Sequence, residues 1–295
     1  MTIGLAALCQ GENGAPLVVV ASDRMVTYPG LIEYEHAVPK MSPASSHAIT
    51  MIAGDTLVAV RLVEEVVGAL MGTNPRVADI ASQLADRYDQ VRIQHVEQTV
   101  LSPRGLSLQT FYGSHQSLNG QLVMVADQAM MQFDLNVELI VAGVDPSGGH
   151  IFTIHNPGRV ERKWDAIGHA GIGSGGIHTL QSMIGFHHVP MSNFTETLFW
   201  VYASKKRAEV APGVGVDTDM AVISVDGIRR LTNDQIIHLD NVYDHYRQSL
   251  SEALTRELGS IHLDQPFEQA PVIEQSTMSA DAPEGTQPPK DETSA

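Results

Sequence analysis

Residues 2–8 read TIGLAAL and residues 17–23 read LVVVASD, with the turn sequence GENG between them at residues 11–14. Two apolar or β-branched runs that flank a Gly/Asn turn predict a β-hairpin at the start of the chain. A signal peptide has a basic segment followed by one uninterrupted apolar run, and these residues have neither feature. We therefore expect the hairpin to belong to the folded protein, with Thr2 at its entrance.

Composition and charge limit the class of protein. The chain has 295 residues, of which 43% are hydrophobic, so it has enough apolar surface for one large core or two smaller ones. A single cysteine, Cys9, excludes a disulfide framework within the chain and favours a cytoplasmic location. The net charge of −16 argues against nucleic acid or an anionic membrane as a partner, and no apolar run is as long as a membrane span.

The rest of the sequence predicts strands in hairpins near both ends, with paired helices between them. The predicted strands cover residues 47–53, 137–143, 151–154, 164–170, 219–225 and 228–231, and the predicted helices cover residues 56–71, 76–100, 177–187, 192–210 and 233–258. Residues 101–133 fit no single pattern, and residues 122–131 suit a helix or a strand. Because no strand–helix–strand alternation occurs, the pattern favours an α+β fold of antiparallel sheets covered by helix pairs.

The composition changes after residue 258. Residues 259–295 are rich in proline and in acidic residues and contain few apolar ones. Such a segment cannot bury enough apolar surface to offset the entropy lost on ordering. We expect one domain over residues 1–258, followed by a disordered acidic tail.

Several sequence features occur in a defined order within residues 2–258. They are Thr2, the hairpin that ends at Asp23 with Thr27 four positions on, Lys40, the pair Ala53-Gly54 fourteen positions beyond Lys40, the turn IGSGG at residues 172–176 and the sequence TDMAVI at residues 218–223. This ordered set resembles the proteasome β-type subunits and their simpler bacterial relatives, which are N-terminal nucleophile hydrolases. The resemblance implies a four-layer αββα sandwich, in which two antiparallel sheets lie between layers of helices.

The resemblance also implies a threonine peptidase. Thr2 is small enough for Met1 to be removed, which would leave an α-amine and a hydroxyl on one residue. The hydroxyl of Thr2 would attack the scissile carbonyl while the α-amine accepts its proton. A free α-amine titrates near pH 7.7–8.0, which suits a general base.

Four further residues are assigned to the site by the same resemblance. Lys40 would lower the pKa of both the amine and the hydroxyl by its positive charge. Asp23 would keep Lys40 protonated and oriented, and the Gly54 N–H would face the developing oxyanion. Ser174, in the turn before a helix, would complete the polar surroundings of the amine.

The family assembles into closed rings with the nucleophiles inside a chamber. We therefore expect a homo-oligomeric ring that cleaves peptides or unfolded proteins, with an ATP-dependent unfoldase as a candidate partner. The predicted helix over residues 56–71 is apolar over a wide arc, more than one sheet would cover, which suits either a central core helix or a contact with a neighbouring subunit. We expect no cofactor and no metal.

One departure from the family pattern bears on activity. The family has a further aspartate just before the last hairpin, whereas residues 209–215 read EVAPGVG and contain none. Glu209 and Asp217 are the nearest carboxylates, and neither has the expected spacing. A catalytically silent ring subunit is therefore one alternative, and a small-molecule amidase on the same fold is another.

Two other motifs suggest different classes of protein. Gly171, Gly173 and Gly176 satisfy the G-x-G-x-x-G pattern of a dinucleotide site, with Glu196 twenty residues further on. The preceding strand belongs to an antiparallel run, however, and Glu196 falls within a predicted helix, so this interpretation is disfavoured. His187 and His188 lack the spacing of metal ligands.

Overall fold

Antiparallel sheets and helices form the protein in an α+β arrangement. The computed structural model describes residues 2–28, 32–36, 39–158 and 162–259. Contacts divide the chain into two units, Met1–Arg247 and Gln248–Ala295. In the second unit, residues 248–258 are helical. The predicted tail, apart from Gly259, lies outside the described residues.

The described residues contain twelve strands and seven α-helices. In chain order the strands are β1 (Gly4–Gln10), β2 (Pro16–Asp23), β3 (Met25–Tyr28), β4 (Ile32–Glu35), β5 (Met41–Ser45), β6 (Ala48–Gly54), β7 (Val137–Asp145), β8 (Gly148–Ile154), β9 (Arg162–Lys163), β10 (His169–Ile172), β11 (Thr218–Ser224) and β12 (Gly227–Arg230). The helices are α1 (Thr56–Leu70), α2 (Val77–Val96), α3 (Leu108–Ser114), α4 (Gly120–Gln132), α5 (Gly176–Gly185), α6 (Phe194–Ala208) and α7 (Asn233–Leu258).

Two five-stranded antiparallel sheets dominate this arrangement. The first sheet has the order β10-β1-β2-β11-β12, and the second has the order β5-β6-β7-β8-β9. Strands β3 and β4 form a separate two-stranded sheet. The predicted N-terminal hairpin is confirmed as β1 and β2, which pair from Gly4 with Ser22 to Gln10 with Pro16.

Alternate side chains of each sheet enter different apolar clusters, as the two-residue period of a strand requires. Val18 and Val20 of β2 share a cluster with Ile140 of β7, so this cluster joins the two sheets. The neighbouring residue Val19 instead packs with Tyr202 of α6. Each central strand is therefore buried on both faces.

The second sheet is covered on its other face by helices. Leu62 of α1 and Leu84 of α2 pack with Val141 of β7 and Phe152 of β8. Helix α1 begins at its N-cap Asp55, whose side chain accepts from the amides of Leu57 and Val58. Val63 and Val66 are buried with Leu62, whereas Leu57 is 80% exposed and Met71, which caps the helix, is 78% exposed.

The structure corrects the predicted strand over residues 164–170. Residues 165–167 form a turn, and β10 begins only at His169. Gly168 has φ +87°, a conformation that glycine adopts without steric cost. After this glycine the chain joins the first sheet, where Gly171 pairs with Leu5 of β1. The predicted strand was therefore wrong in its bounds.

Two other regions differ from the sequence pattern. Residues 101–133, which fitted no single pattern, contain α3 and α4, and residues 122–131 lie within α4. Strand β5 was not predicted, because its sequence MSPAS has little apolar alternation. Among the described residues, no helix combines the length and the apolar character that a membrane crossing requires.

Candidate active site

Thr2 lies at the entrance to β1, a strand in the interior of the first sheet. Gly4 pairs with Ser22 of β2 on one side and with Ile172 of β10 on the other. This double pairing fixes the start of the chain, and Thr2 is only 3% exposed. Because Thr2 continues the line of β1, its side chain lies next to the end of β2, where Asp23 is located.

The hydroxyl of Thr2 is held between a carboxylate and an ammonium. Thr2 Oγ1 donates to Asp23 Oδ1 at 2.5 Å. Lys40 Nζ donates to the same hydroxyl oxygen and lies 3.0 Å from Asp23 Oδ1. The structure thus brings together three residues that are far apart in sequence. Such an arrangement polarises the O–H bond and leaves a cation beside the oxygen if the proton departs.

Asp23 is fully buried, and its charge is compensated by several donors. Besides Thr2 and Lys40, the Ile3 N–H donates to Oδ1 at 3.0 Å. The Met25 N–H and the Gly215 N–H donate to Oδ2 at 3.2 and 2.9 Å. A buried carboxylate is tolerated only when it is paired and hydrogen-bonded in this way.

Lys40 is also buried, with 9% of its surface exposed. Burial lowers the pKa of Lys40 below the ordinary lysine value, while the negative charges of Asp23 and Glu35 act in the opposite direction. The lysine precedes β5, and its carbonyl accepts from Ile52 N–H of β6 at 3.3 Å. The second sheet therefore supplies the cation for a carboxylate of the first sheet.

The backbone directions in β6 define where the Gly54 N–H faces. Asp55 N–H donates to Asn136 O at 2.7 Å, whereas Ile52 N–H donates to Lys40 O on the other side of the strand. Successive amides of a strand face opposite sides, so the Gly54 N–H faces the side of Lys40. Gly54 has φ +88°, and a Cβ there would lie 1.9 Å from Asn136 O. Only glycine fits this position without displacing the backbone.

A small cavity lies where these residues meet. Its volume is about 20 Å³, which is room for about one water molecule. Thr2 and Lys40 contribute polar atoms to it, and the end of β6 closes one side. The cavity is lined by Thr2, Met25, Val26, Lys40, Ile52, Ala53, Gly54 and Thr56.

Ser174 lies on the carbonyl side of Thr2. Its hydroxyl donates to Pro212 O at 3.1 Å and lies 3.5 Å from Thr2 O, the alternative acceptor of its single proton. The Gly175 N–H also donates to Thr2 O, at 3.3 Å. The turn before α5 therefore holds the main chain of Thr2, and Ser174 contacts the backbone of the nucleophile candidate rather than its hydroxyl.

The two acidic residues nearest to the expected aspartate position make other contacts. Glu209 accepts from Lys205 at 2.8 Å, and the backbone amide of Asp217 donates to Glu35 at 3.3 Å. The loop before β11 instead reaches the site through the backbone amide of Gly215. Sequence reasoning missed this contact, since a glycine amide leaves no signal in a side-chain pattern.

Known proteins and metal geometry add little to the assignment. No family model matches the chain, and a search of the curated proteins finds no match. In the part of the chain that the structure describes, no three His, Cys, Asp or Glu side chains are grouped closely enough to hold a metal ion. The function is therefore inferred from the geometry around Thr2 and from the order of motifs in this sequence.

Proposed function

We propose that the protein is an N-terminal threonine hydrolase that cleaves peptide bonds. The observation that carries this proposal is the hydroxyl of Thr2, which donates to Asp23 and accepts from Lys40 inside the fold. A buried threonine needs no ammonium group beside it for stability. Burying an ammonium group is also costly in free energy. Both charges are retained next to a hydroxyl at the end of a strand, which is the arrangement of an activated nucleophile.

The proposed membership of the proteasome β-type family is supported by the packing. We interpret the clusters as four layers, with α1 and α2 outside the second sheet and α5 and α6 outside the first. The support is that the side chains of β2 alternate between a cluster shared with the second sheet and a cluster shared with α6. Helices α1 and α2 share a third cluster with the second sheet.

In the proposed reaction, removal of Met1 exposes the α-amine of Thr2. The amine takes the hydroxyl proton as Oγ1 bonds to the scissile carbonyl carbon, and the carbonyl oxygen becomes an oxyanion that accepts from the Gly54 N–H. The C–N bond then breaks, and the amine gives its proton to the leaving nitrogen. Water hydrolyses the ester on Thr2 and restores the free hydroxyl.

Lys40 and Asp23 have separate tasks in this scheme. The ammonium of Lys40 stabilises negative charge that develops on Oγ1 during attack. Asp23 orients both Lys40 and the hydroxyl, since Oδ1 accepts from both. Ser174 and Gly175 hold the Thr2 carbonyl, which fixes the direction of the attacking side chain.

The proposed assembly is a cytoplasmic homo-oligomeric ring that acts on peptides or unfolded proteins, with an ATP-dependent unfoldase as the candidate partner. Apolar side chains on the outer face of α1 support it, because Leu57 and Met71 are mostly exposed. The two side chains lie at opposite ends of the helix, and a neighbouring subunit would cover them. Enclosing the nucleophile would protect folded proteins of the host.

A silent ring subunit is the second candidate. It is favoured by one observation, which is that the loop before β11 brings a glycine amide to Asp23 where the family has an aspartate. In that case the Thr2 side chain would pack in the same place without reacting. A small-molecule amidase would differ from both, because it would turn over short acyl amides and not unfolded protein.

One experiment separates catalysis from scaffolding. Intact mass is measured on the purified protein before and after treatment with a β-lactone or an epoxyketone, in parallel with Thr2→Ala and Thr2→Ser. We expect a mass without Met1, a covalent adduct on Thr2, an adduct on the serine variant and none on the alanine variant. Labelling of Thr2→Ala to the same extent would refute the mechanism, and an unmodified wild-type protein would favour the silent subunit.

A further inference from the structure

The loop before β11 is held between two charged side chains. The carbonyls of Gly215 and Val216 each accept from Lys205 Nζ at 2.8 Å. The amides of Val216 and Asp217 donate to Glu35 Oε1 at 2.7 and 3.3 Å. Residues 215–217 therefore have Lys205 on their carbonyl side and Glu35 on their amide side.

Lys205 is an unusual residue for its place in the fold. It extends from α6, its side chain is 0% exposed, and it donates to a third acceptor, Glu209 Oε1, at 2.8 Å. Its three acceptors match the three N–H donors of an ammonium. Burying a cation costs free energy unless the geometry is this complete. Its neighbour Lys206 is 23% exposed and lies 3.4 Å from the second oxygen of Glu209.

Glu35 faces the same loop from β4. A Cβ on residue 215 would lie 2.2 Å from Glu35 Oε1, so this residue has to be glycine for the carboxylate to pack there. Glu35 Oε2 is buried without a hydrogen-bond partner among the described residues. An unpartnered buried carboxylate oxygen is costly, which indicates a task other than stability.

Both side chains converge on one contact of the proposed site. The Gly215 amide donates to Asp23 Oδ2 at 2.9 Å, and the same peptide segment is fixed by Lys205 and Glu35. We propose that Lys205 and Glu35 are positioning residues, which hold the Gly215 amide on Asp23 and set the charge around Lys40 from opposite sides. This inference rests on the proposed function, since it assigns a role within the same site.

The charges around Lys40 predict shifts of its pKa in opposite directions for the two residues. The charged side chains that act on Lys40 are Asp23 from β2, Glu35 from β4 and Lys205 from α6, and removal of Met1 would add the α-amine of Thr2, which all variants share. Burial is the main cause of the lowered pKa of Lys40. Among the charged groups, the two carboxylates raise that pKa and Lys205 lowers it. We therefore expect removal of the Lys205 charge to raise the pKa of Lys40, and removal of the Glu35 charge to lower it.

The test measures the titration of Lys40 directly. The chain has five lysines, so full-length protein labelled with ¹³Cε-lysine gives few signals, and Lys40→Met assigns the one of interest. We expect the Lys40 midpoint to move upward in Lys205→Met and downward in Glu35→Gln. The matched control is Lys206→Met, which removes the same charge one residue away and should leave the midpoint in place.

Activity supplies the second readout. Each variant removes one anchor of the Gly215 amide while Asp23 keeps its ion pair with Lys40, so acylation of Thr2 by a β-lactone should slow by about tenfold or more in each, and Lys206→Met should react like wild type. Shifts of the Lys40 midpoint in the same direction, or none in either variant, would overturn the inference. If Lys205→Met does not fold, Glu35→Gln alone decides, because an unmoved or raised midpoint contradicts it. The titration needs no turnover, so an inactive protein would refute the proposed function without affecting this measurement.

Discussion

The Lys40 ammonium and the Asp23 carboxylate form a buried ion pair, 3.0 Å apart, that joins the two sheets. Asp23 ends β2 of the first sheet, and Lys40 directly precedes β5 of the second. Such a pair is costly to bury, and breaking it by removing one partner leaves an uncompensated charge. Its location beside the Thr2 hydroxyl makes it the first target for mutation.

Lys40→Ala should reduce amide hydrolysis by at least about 10²-fold, because it removes the cation beside the proposed nucleophile. The matched control is Lys163→Ala, whose side chain is 55% exposed. Activity is measured with a fluorogenic peptide over a range of pH. In the wild type, the alkaline limb should lie below the ordinary lysine range, since burial lowers the pKa of Lys40. If Lys40→Ala keeps the wild-type rate and pH profile, the lysine takes no part in the reaction.

Gly54→Ala should destabilise the fold by about 2 kcal/mol or more, because a Cβ would overlap Asn136 O at the turn into α1. Gly72→Ala is the matched control, since Gly72 also has positive φ, at +80°, but has open space around its Cβ position. Urea unfolding measures both variants. Equal losses of stability would show that strain in φ alone, and no overlap with Asn136, restricts residue 54.

Two buried histidines should make the protein sensitive to mild acid. His169 Nδ1 lies 3.1 Å from His188 Nδ1, and His188 Nε2 lies 2.9 Å from Leu8 O. Burial lowers the pKa of His169 to about 4. In the unfolded chain His169 binds a proton near pH 6.5. The stability that neutral His169 contributes is therefore fully present above that pH and is lost as the pH decreases toward about 4.

The expected loss from His169 between pH 7.5 and pH 5 is about 2 kcal/mol in the free energy of unfolding. His169→Gln should flatten this dependence, whereas His245→Gln, a substitution at an exposed position of α7, should not. Urea titrations at both pH values measure the effect. If His169→Gln leaves the pH dependence of the free energy of unfolding unchanged, other groups cause the acid sensitivity.

The purified protein should form a ring in solution. Light scattering is expected to give a mass that is a multiple of 31.9 kDa. Leu57→Glu places a charge on the exposed face of α1 and should lower the mass, whereas Glu64→Gln, an exposed polar position of the same helix, should leave it unchanged. A monodisperse wild-type monomer at micromolar concentration would refute the ring.

Deletion of residues 264–295 should leave thermal stability and assembly nearly unchanged. The segment is rich in proline and acidic residues, so its sequence offers little apolar surface to a core. Calorimetry and light scattering on the shortened chain check both properties. A large fall in melting temperature would show that the segment docks on the folded part.

Local patterns were sufficient for most elements of the fold. The hairpin of β1 and β2 follows from two apolar runs around a turn, and α7 was predicted over residues 233–258, as observed. The path of β10 was not predictable in this way, because its partner β1 lies more than 160 residues earlier in the chain. Strand pairing over such distances depends on the packed sheets and not on neighbouring residues.

The residues of the candidate site were likewise predictable from the sequence only in part. Thr2, Asp23 and Lys40 were selected by the order of motifs, and the structure brings them within hydrogen-bonding distance. Glu35 and Lys205 were not selected, since each has an ordinary charged side chain in its own segment. Their importance to the geometry arises from the backbone of residues 215–217, which only the folded chain brings between them.

The interior position of β1 also sets the order of events during synthesis. Thr2 and Lys40 leave the ribosome early, but β1 lacks its neighbour β10 until residues 169–172 have been made. The amide that completes the coordination of Asp23 belongs to residue 215. A nascent chain or a truncated product shorter than this carries the Thr2 hydroxyl without its completed surroundings. Translation therefore delays assembly of the site until the sheets that enclose it can form.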